Sequence, residues 1–281
     1  MLFRSPAIVQ TKMDGMRFNA IVKNGSVEYR SRNGKEIFIN NSLMDAAFVS
    51  LAHQVNILQV LSGIKKPAES EDVVFDGELL VVNDFGTPLD RKTGNGILNK
   101  AVKGTISSEE SSQVRAVLWD YIPLENFVED AWVVPYIDRI RRLVNATKET
   151  NVSHMISIVN TKIVKDLYTV ERLFQESLNN GEEGIILKSA NGIWENKRSK
   201  SSIKFKSELD CDLKVVAVED GSGKYAGMIG SLVCESADGK LKVSVGSGLT
   251  EADRKLPKSA YLNRIVAVKY NARIENVNEI G

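Results

Sequence analysis

The chain has few of the residues that build metal clusters and disulfide frameworks. Its 281 residues include two cysteines, Cys211 and Cys234, and two histidines, His53 and His154. Ligands this few and scattered exclude a zinc module, and two thiols exclude a disulfide scaffold. Long apolar runs are missing too; every one is under ten residues, which leaves no transmembrane helix. The segment from Met1 to Pro6 lacks the apolar core of a secretory leader. No charge dominates, since 37 Lys and Arg stand against 36 Asp and Glu. A uniform basic coat is therefore excluded, while local basic patches remain available. Internal repeats and low-complexity tracts do not occur. What is present is ordinary globular material, 43% hydrophobic and 26% charged, enough for one large domain or two. Such cysteine usage fits a reducing intracellular compartment.

The hydrophobic pattern predicts strands at Ile8–Lys12, Arg17–Val22 and Val27–Ser31, with turns at Asp14-Gly15, Asn24-Gly25 and Asn33-Gly34. Apolar positions Leu43, Ala47, Leu51, Leu58 and Leu61 predict one helix from Ser42 to Leu61. Val73–Val82 reads as a buried strand, and Thr87–Thr105 as a glycine-punctuated basic loop, either a disordered connector or a surface whose glycines let backbone approach phosphate. Ser107 and Glu110 form a capping box ahead of a short helix. Further strands are expected at Val114–Tyr121, Glu183–Lys188 and Ser202–Lys206, and helices at Ile137–Thr147 and Val170–Asn179, with Gly181 as a C-cap. After Asp210 the texture becomes short β runs, as in a small barrel, so a boundary is drawn at Leu209.

Chemistry concentrates around Lys12-Met13-Asp14-Gly15-Met16-Arg17. A lysine beside a tight Asp-Gly turn is either a solvated hairpin residue or an amine aimed at a ligand; it becomes a nucleophile when desolvation or neighbouring cations favour its neutral form. Glu78 interrupts an apolar strand beside Asp76, and Glu183 opens another. Lys204 and Lys206, two apart in a strand, project from one face and suit a phosphate between them. Lys197, Arg198, Lys200, Lys204 and Lys206 form a basic run, read as one side of a phosphate-lined groove. Gly221-Ser222-Gly223-Lys224 is not a Walker A loop, because Tyr225 follows the lysine and the glycine spacing differs.

Six segments in order make the chain resemble the ATP-dependent DNA ligases of the covalent nucleotidyltransferase superfamily, the T-even phage type most closely. They are Lys12–Arg17 (K-x-D-G-x-R), Ser31-Arg32-Asn33-Gly34, Asp76-Gly77-Glu78, Trp119-Asp120-Tyr121, Glu183-Gly184-Ile185-Ile186 and Lys204-Phe205-Lys206. The resemblance implies that Lys12 accepts AMP from ATP and that Thr11, Arg17, Glu78, Trp119, Lys204 and Lys206 bind the nucleotide. In this scheme Arg17 and Glu78 hold the ribose, Trp119 stacks on adenine, and Lys204 and Lys206 neutralise the α-phosphate. Glu183 is the implied metal ligand, with Asp14 or Asp76 nearby, for Mg²⁺ or alternatively Mn²⁺. Ser31 and Arg32 are implied at the 5′-phosphate of a nick.

The implied fold is α+β. An antiparallel-sheet, ATP-grasp-like nucleotidyltransferase domain (residues 1–209) precedes a partial OB-fold β-barrel (residues 210–281). The implied partner is nicked double-stranded DNA, engaged by an intracellular monomer with no membrane association. Only 11 residues precede Lys12, and the family's terminal basic motif would lie beyond Gly281, so the chain is expected to be a fragment truncated at both ends. Alternatives from the same superfamily are an RNA ligase or an mRNA-capping guanylyltransferase. A catalytically impaired nick-binding module is the alternative from another class.

Overall fold

Alternating and β-branched runs form the strands, and capped stretches of helical period form the helices. The computed structural model describes residues 6–66, 70–152, 154–197, 199, 201–206 and 209–270. The chain divides into two compact units, Met1–Lys206 and Ser207–Gly281.

The first unit begins with β1 (Ala7–Thr11), β2 (Met16–Lys23), β3 (Ser26–Ser31), α1 (Ser42–Leu61), β4 (Val73–Val81), α2 (Arg91–Val102) and α3 (Ser108–Ser112). It continues through β5 (Val114–Pro123), α4 (Leu124–Val128), β6 (Ala131–Trp132), α5 (Tyr136–Glu149), β7 (Ile156–Ile158) and β8 (Thr161–Val164). It closes with α6 (Leu167–Asn179), β9 (Gly184–Ser189), β10 (Trp194–Glu195) and β11 (Ser202–Lys206). Two sheets dominate, one ordered β3-β2-β4-β5-β7 and the other β11-β9-β1-β8.

The expected Asn24-Gly25 turn joins β2 to β3 with both residues at positive φ, 49° and 75°, pairing Lys23 with Ser26. The turn at Asp14-Gly15 is different. Strands β1 and β2 do not pair; each belongs to a different sheet, so Lys12–Gly15 is a crossing between sheets and the hairpin reading is corrected. A Cβ on Gly15 would lie 2.1 Å from the Leu79 carbonyl, and this close approach lets the crossing hug β4.

Helix α1 has the expected limits. The Asn41 side chain caps it by accepting from Met44 N at 3.1 Å. Its buried stripe is Met44, Ala47, Phe48, Leu51, Ala52 and Val55; Leu43 and Leu61, counted in the sequence pattern, are 60% and 78% exposed. Phe48 packs against Phe18, Tyr29 and Phe75 at centroid distances of 6.1, 5.7 and 5.5 Å. Truncating such a ring to alanine typically costs about 3–5 kcal/mol.

The Thr87–Thr105 loop reading is corrected as well, because Arg91–Val102 is helical. Asp90 caps it, accepting from Lys92 N and Thr93 N, and Leu98 and Ala101 are fully buried against the core. A docked apolar face outweighs the roughly 1 kcal/mol that each interior glycine costs. The Ser107–Glu110 capping box is present as expected.

The second unit is one antiparallel sheet ordered β14-β13-β12-β15, with β12 (Leu209–Asp220), β13 (Ile229–Glu235), β14 (Lys242–Val245) and β15 (Ile265–Tyr270). Among the described residues the ladder does not close, as a partial OB-fold requires. Leu209, expected to end the first unit, opens β12 and pairs with Tyr270, so its backbone ladder assigns it to the second. Leu213, Val215, Ile229, Leu232, Cys234 and Val268 form this unit's own core. In α7 (Glu251–Arg254), buried Arg254 donates to the carbonyls of Ile229, Gly230 and Gly246. No helix of the described residues is long and apolar enough to cross a membrane.

Candidate active site

Strand alternation decides what faces the site. On β9, Ile185 and Leu187 turn toward α6, so Gly184, Ile186 and Lys188 turn the opposite way. On β11, Phe205 packs on Phe174 of α6 at 6.1 Å, which sends Lys204 and Lys206 to that same opposite face. In the other sheet, Phe18 and Ala20 are buried in the core that holds α1, so Arg17 and Asn19 face away from it, opposite Glu78 and Asp76 of β4.

Lys12 directly follows β1 and is held twice, by the adjacent residues Glu183 and Gly184 at the start of β9. Its backbone N donates to the Gly184 carbonyl at 2.9 Å, and its ammonium forms an ion pair with Glu183. The two side chains are 17% and 23% exposed. Ser177 also donates to the Gly184 carbonyl, at 2.9 Å. Only glycine fits at 184, where φ is +140° and a Cβ would lie 2.2 Å from the Phe205 carbonyl.

Glu78 accepts from Gly15 N at 3.1 Å. Burial pushes its pKa up to about 7, against the lowering pull of the Gly15 N–H, Lys12 and Arg17. Arg17 forms a bidentate pair with Asp76, at 3.0 and 2.8 Å. Lys204 is held below its ordinary pKa by desolvation and by the charges of Lys12, Arg32 and Arg17, while Glu78 opposes. Lys204 thus feels the charges of Lys12, Arg17, Arg32 and Glu78, and Glu183 joins them through its ion pair with Lys12.

The expected candidates divide by surroundings. Thr11 is the last residue of β1, with its N donating to the Asn160 carbonyl at 3.4 Å. Ser31 and Arg32 lie in a turn closed by Gly34 N to the Ser31 carbonyl at 2.8 Å, with Arg32 exposed. Asp14 pairs with Arg91 at 3.2 Å. Both Asp76 oxygens are engaged by Arg17, so Glu183 is the carboxylate best suited to a metal. Among the described residues no cluster of three His, Cys, Asp or Glu side chains surrounds a metal position. One carboxylate fits a Mg²⁺ that completes its shell with water and phosphate oxygens. Arg198 and Lys200 of the basic run lie outside the described residues.

Trp119 is half-buried beside Met13, Leu80, Val117 and Val159. It is the extra residue of a β-bulge; Asp76 pairs with Asp120 and Gly77 with Leu118, leaving Trp119 without a partner on β4. Bulges of this kind re-aim a side chain. Three neighbouring residues escaped the sequence reading. Lys188 was only a strand end there, but its ammonium lies 5.7 Å from the Trp119 ring, and desolvation lowers its pKa to about 8. Arg139 makes a bidentate pair with Asp120 at 2.8 and 2.9 Å, both side chains under 8% exposed. Tyr136 touches both Lys188 and Trp119. The alternation of β9 carries a signal for Lys188; nothing local carries one for the other two.

Residues 2–206 match the family described as "ATP dependent DNA ligase domain", and residues 220–276 match "DNA ligase OB-like domain". The DNA ligase of Enterobacteria phage T6 is 34% identical over 264 residues, covering 88% of this chain and 53% of that protein. The phage T4 DNA ligase is 33% identical with the same coverage. This chain thus spans about half the length of these relatives. A solved Lig E DNA ligase, at 22% identity, shares the fold with a TM-score of 0.67 over 94% of this chain and 86% of its own. The chain belongs to the ATP-dependent DNA ligases.

Proposed function

We propose that this chain is the catalytic core of an enzyme that seals 3′-hydroxyl/5′-phosphate nicks in duplex DNA at the expense of ATP. The observation that carries the reading is the double anchoring of Lys12 on Glu183 and Gly184, within reach of the charges of Lys204, Arg17 and Arg32. Phosphoryl transfer needs positioning and charge neutralisation more than acid–base pairs. This need suits a site with no histidine among its candidate residues.

Lys12 Nζ, once its ammonium has released a proton to solvent, attacks the α-phosphorus of ATP and loses a further proton to solvent as the bond forms. A P–N bond forms as the P–O bond to pyrophosphate breaks, leaving a lysyl-AMP. The AMP then passes to the 5′-phosphate of the nick, and the 3′-hydroxyl displaces it. Glu183 orients the amine with one carboxylate oxygen and offers the other to Mg²⁺, which when bound supplies charge neutralisation at the phosphates. Lys204 and Lys206 take the α-phosphate, Glu78 and Arg17 the ribose and Trp119 the base, with Thr11 also at the nucleotide. Ser31 and Arg32 meet the 5′-phosphate.

Intact mass after incubation with ATP and Mg²⁺ tests this, beside a Lys12→Ala control. A gain of one AMP that the control lacks supports the reading. If no adduct forms, pre-adenylated nicked DNA is offered next. Failure to seal it would sink the enzymatic reading, while sealing would restrict the defect to the first step. GTP in place of ATP, and nicked RNA in place of DNA, separate the capping-enzyme and RNA-ligase chemistries.

A further inference from the structure

The β-bulge that releases Trp119 from the β4 ladder also releases its backbone carbonyl, and a polar group set free inside a protein needs a partner. That partner is the first residue of α5. Tyr136 Oη donates to the Trp119 carbonyl at 2.6 Å, and the same oxygen accepts from Lys188 Nζ at 3.0 Å. The Lys188 ammonium sits 4.3 Å from the centroid of the Tyr136 ring, a cation–π contact. Tyr136 itself is only 3% exposed, and its backbone N donates to the Gly192 carbonyl at 2.9 Å. Arg139, one turn along the helix, lies 5.2 Å over the same ring while it grips Asp120. One hydroxyl thus ties three elements together: the bulge of β5, the cation of β9 and the start of α5.

We propose that Tyr136 is a positioning residue of the nucleotide site, its hydroxyl locking the Trp119 bulge and the Lys188 ammonium in the one arrangement that receives the purine base of a nucleoside triphosphate. This rests on the ATP-dependent reading above. Only a group that donates and accepts from one atom can serve both neighbours, and a hydroxyl does so. Burial holds the phenol well above its ordinary pKa, so it stays protonated, and a donor, throughout the working range. Lys188 has Asp120, Asp76, Arg139 and Arg17 as its charged surroundings, drawn from β4, β5, α5 and β2. Tyr136 supplies its neutral contact. Without that contact the ammonium and the bulge carbonyl each lose a partner, and the base-facing surface samples arrangements that do not bind.

The variant Tyr136→Phe keeps the ring, its packing and the Arg139 contact while removing the hydroxyl. The rate of lysyl-AMP formation is measured against ATP concentration in the full chain. The half-saturating ATP concentration is expected to rise about tenfold, the scale of lost buried hydrogen bonds, with the limiting rate within about twofold. In a Trp119→Ala background the same change is expected to cost about threefold or less, because its target is gone. A merely structural role would lower the active fraction equally in both backgrounds and leave half-saturation in place. Unchanged half-saturation in Tyr136→Phe, or a full tenfold effect without Trp119, would overturn the proposal. If Tyr136→Phe does not fold, Lys188→Gln is read the same way; an unmoved half-saturation there overturns the proposal too. A wild-type chain that neither takes up AMP nor seals pre-adenylated nicked DNA defeats the ligase reading and this inference together; one that seals without taking up AMP defeats this inference alone. A wild type that adenylates beside an indifferent Tyr136→Phe defeats this inference alone.

Discussion

Two bidentate arginine–aspartate pairs have their aspartates side by side on adjacent strands, and they differ in how they meet water. Asp76 and Asp120 are register partners across β4 and β5. Asp120 is gripped by Arg139 with side-chain exposures of 7% and 3%, while Asp76 is gripped by Arg17 with exposures of 8% and 48%. The carboxylates are equally buried, so the arginine makes the difference. Arg139 is sealed beneath Trp132 and Tyr136, its third nitrogen donating to the carbonyls of Val134 and Gly192. Arg17 stands half in solvent, on the face that carries Glu78. Identical chemistry thus serves architecture in one place and leaves a cation accessible to a ligand in the other.

The largest effect should come from breaking the sealed pair. Arg139→Ala strands the Asp120 carboxylate and is expected to cost about 3–5 kcal/mol, read as a lower midpoint in urea unfolding. A loss below about 1 kcal/mol would erase the distinction between the pairs. Arg17→Ala should do the reverse. It leaves Asp76 unpaired as well, but opens it to water on the side Arg17 occupied, so the stability cost is expected to be smaller, about 1–3 kcal/mol, while ATP affinity in a direct binding titration falls at least about tenfold. Equal behaviour in the two assays would count against a ligand-facing Arg17.

Glu78 sharpens the contrast through pH. Its folded pKa, about 7, lies above the ordinary 4.5, so the folded protein binds the proton more tightly than the unfolded chain. The stability this provides is complete below about 4.5 and is lost as pH rises to about 7. Melting temperature should therefore carry a downward component across that window, and Glu78→Gln should remove it. A variant with the wild-type slope would show that Glu78 is not the source. The smallest effect belongs to exposed Arg32. Arg32→Ala is expected to reduce the salt slope of nicked-DNA binding by about 0.9, one phosphate contact, with adenylation unaltered. An unchanged slope would remove Arg32 from the phosphate surface.

The local signals were legible where local physics decides. Helix α1 from Ser42 to Leu61, the Asn24-Gly25 turn and the Ser107–Glu110 box all follow from neighbours within four residues. The segments around Lys12, Glu78 and Glu183 were also readable as unusual chemistry. Hidden features depend on distant partners. A four-residue crossing between sheets resembles a hairpin until β9 and β4 are known to claim its two sides. Helix α2 hid behind Gly94 and Gly96 because its stability comes from Leu98 and Ala101 meeting the core. Arg139 finds Asp120 nineteen residues back, and Tyr136 finds Lys188 fifty-two residues on, spacings that no periodicity encodes.

Lys12 has its backbone on the Gly184 carbonyl and its ammonium on Glu183, 171 residues further along the chain. The address of the amine is therefore written at Glu183-Gly184, where β9 begins, and the Lys12–Arg17 segment supplies only the occupant. Transplanting that six-residue segment into another protein's turn would carry the lysine without its coordinates. A host meant to inherit the chemistry would need the β1–β9 ladder as well. The position of this amine thus rests on two segments whose sequences lie at opposite ends of the first unit.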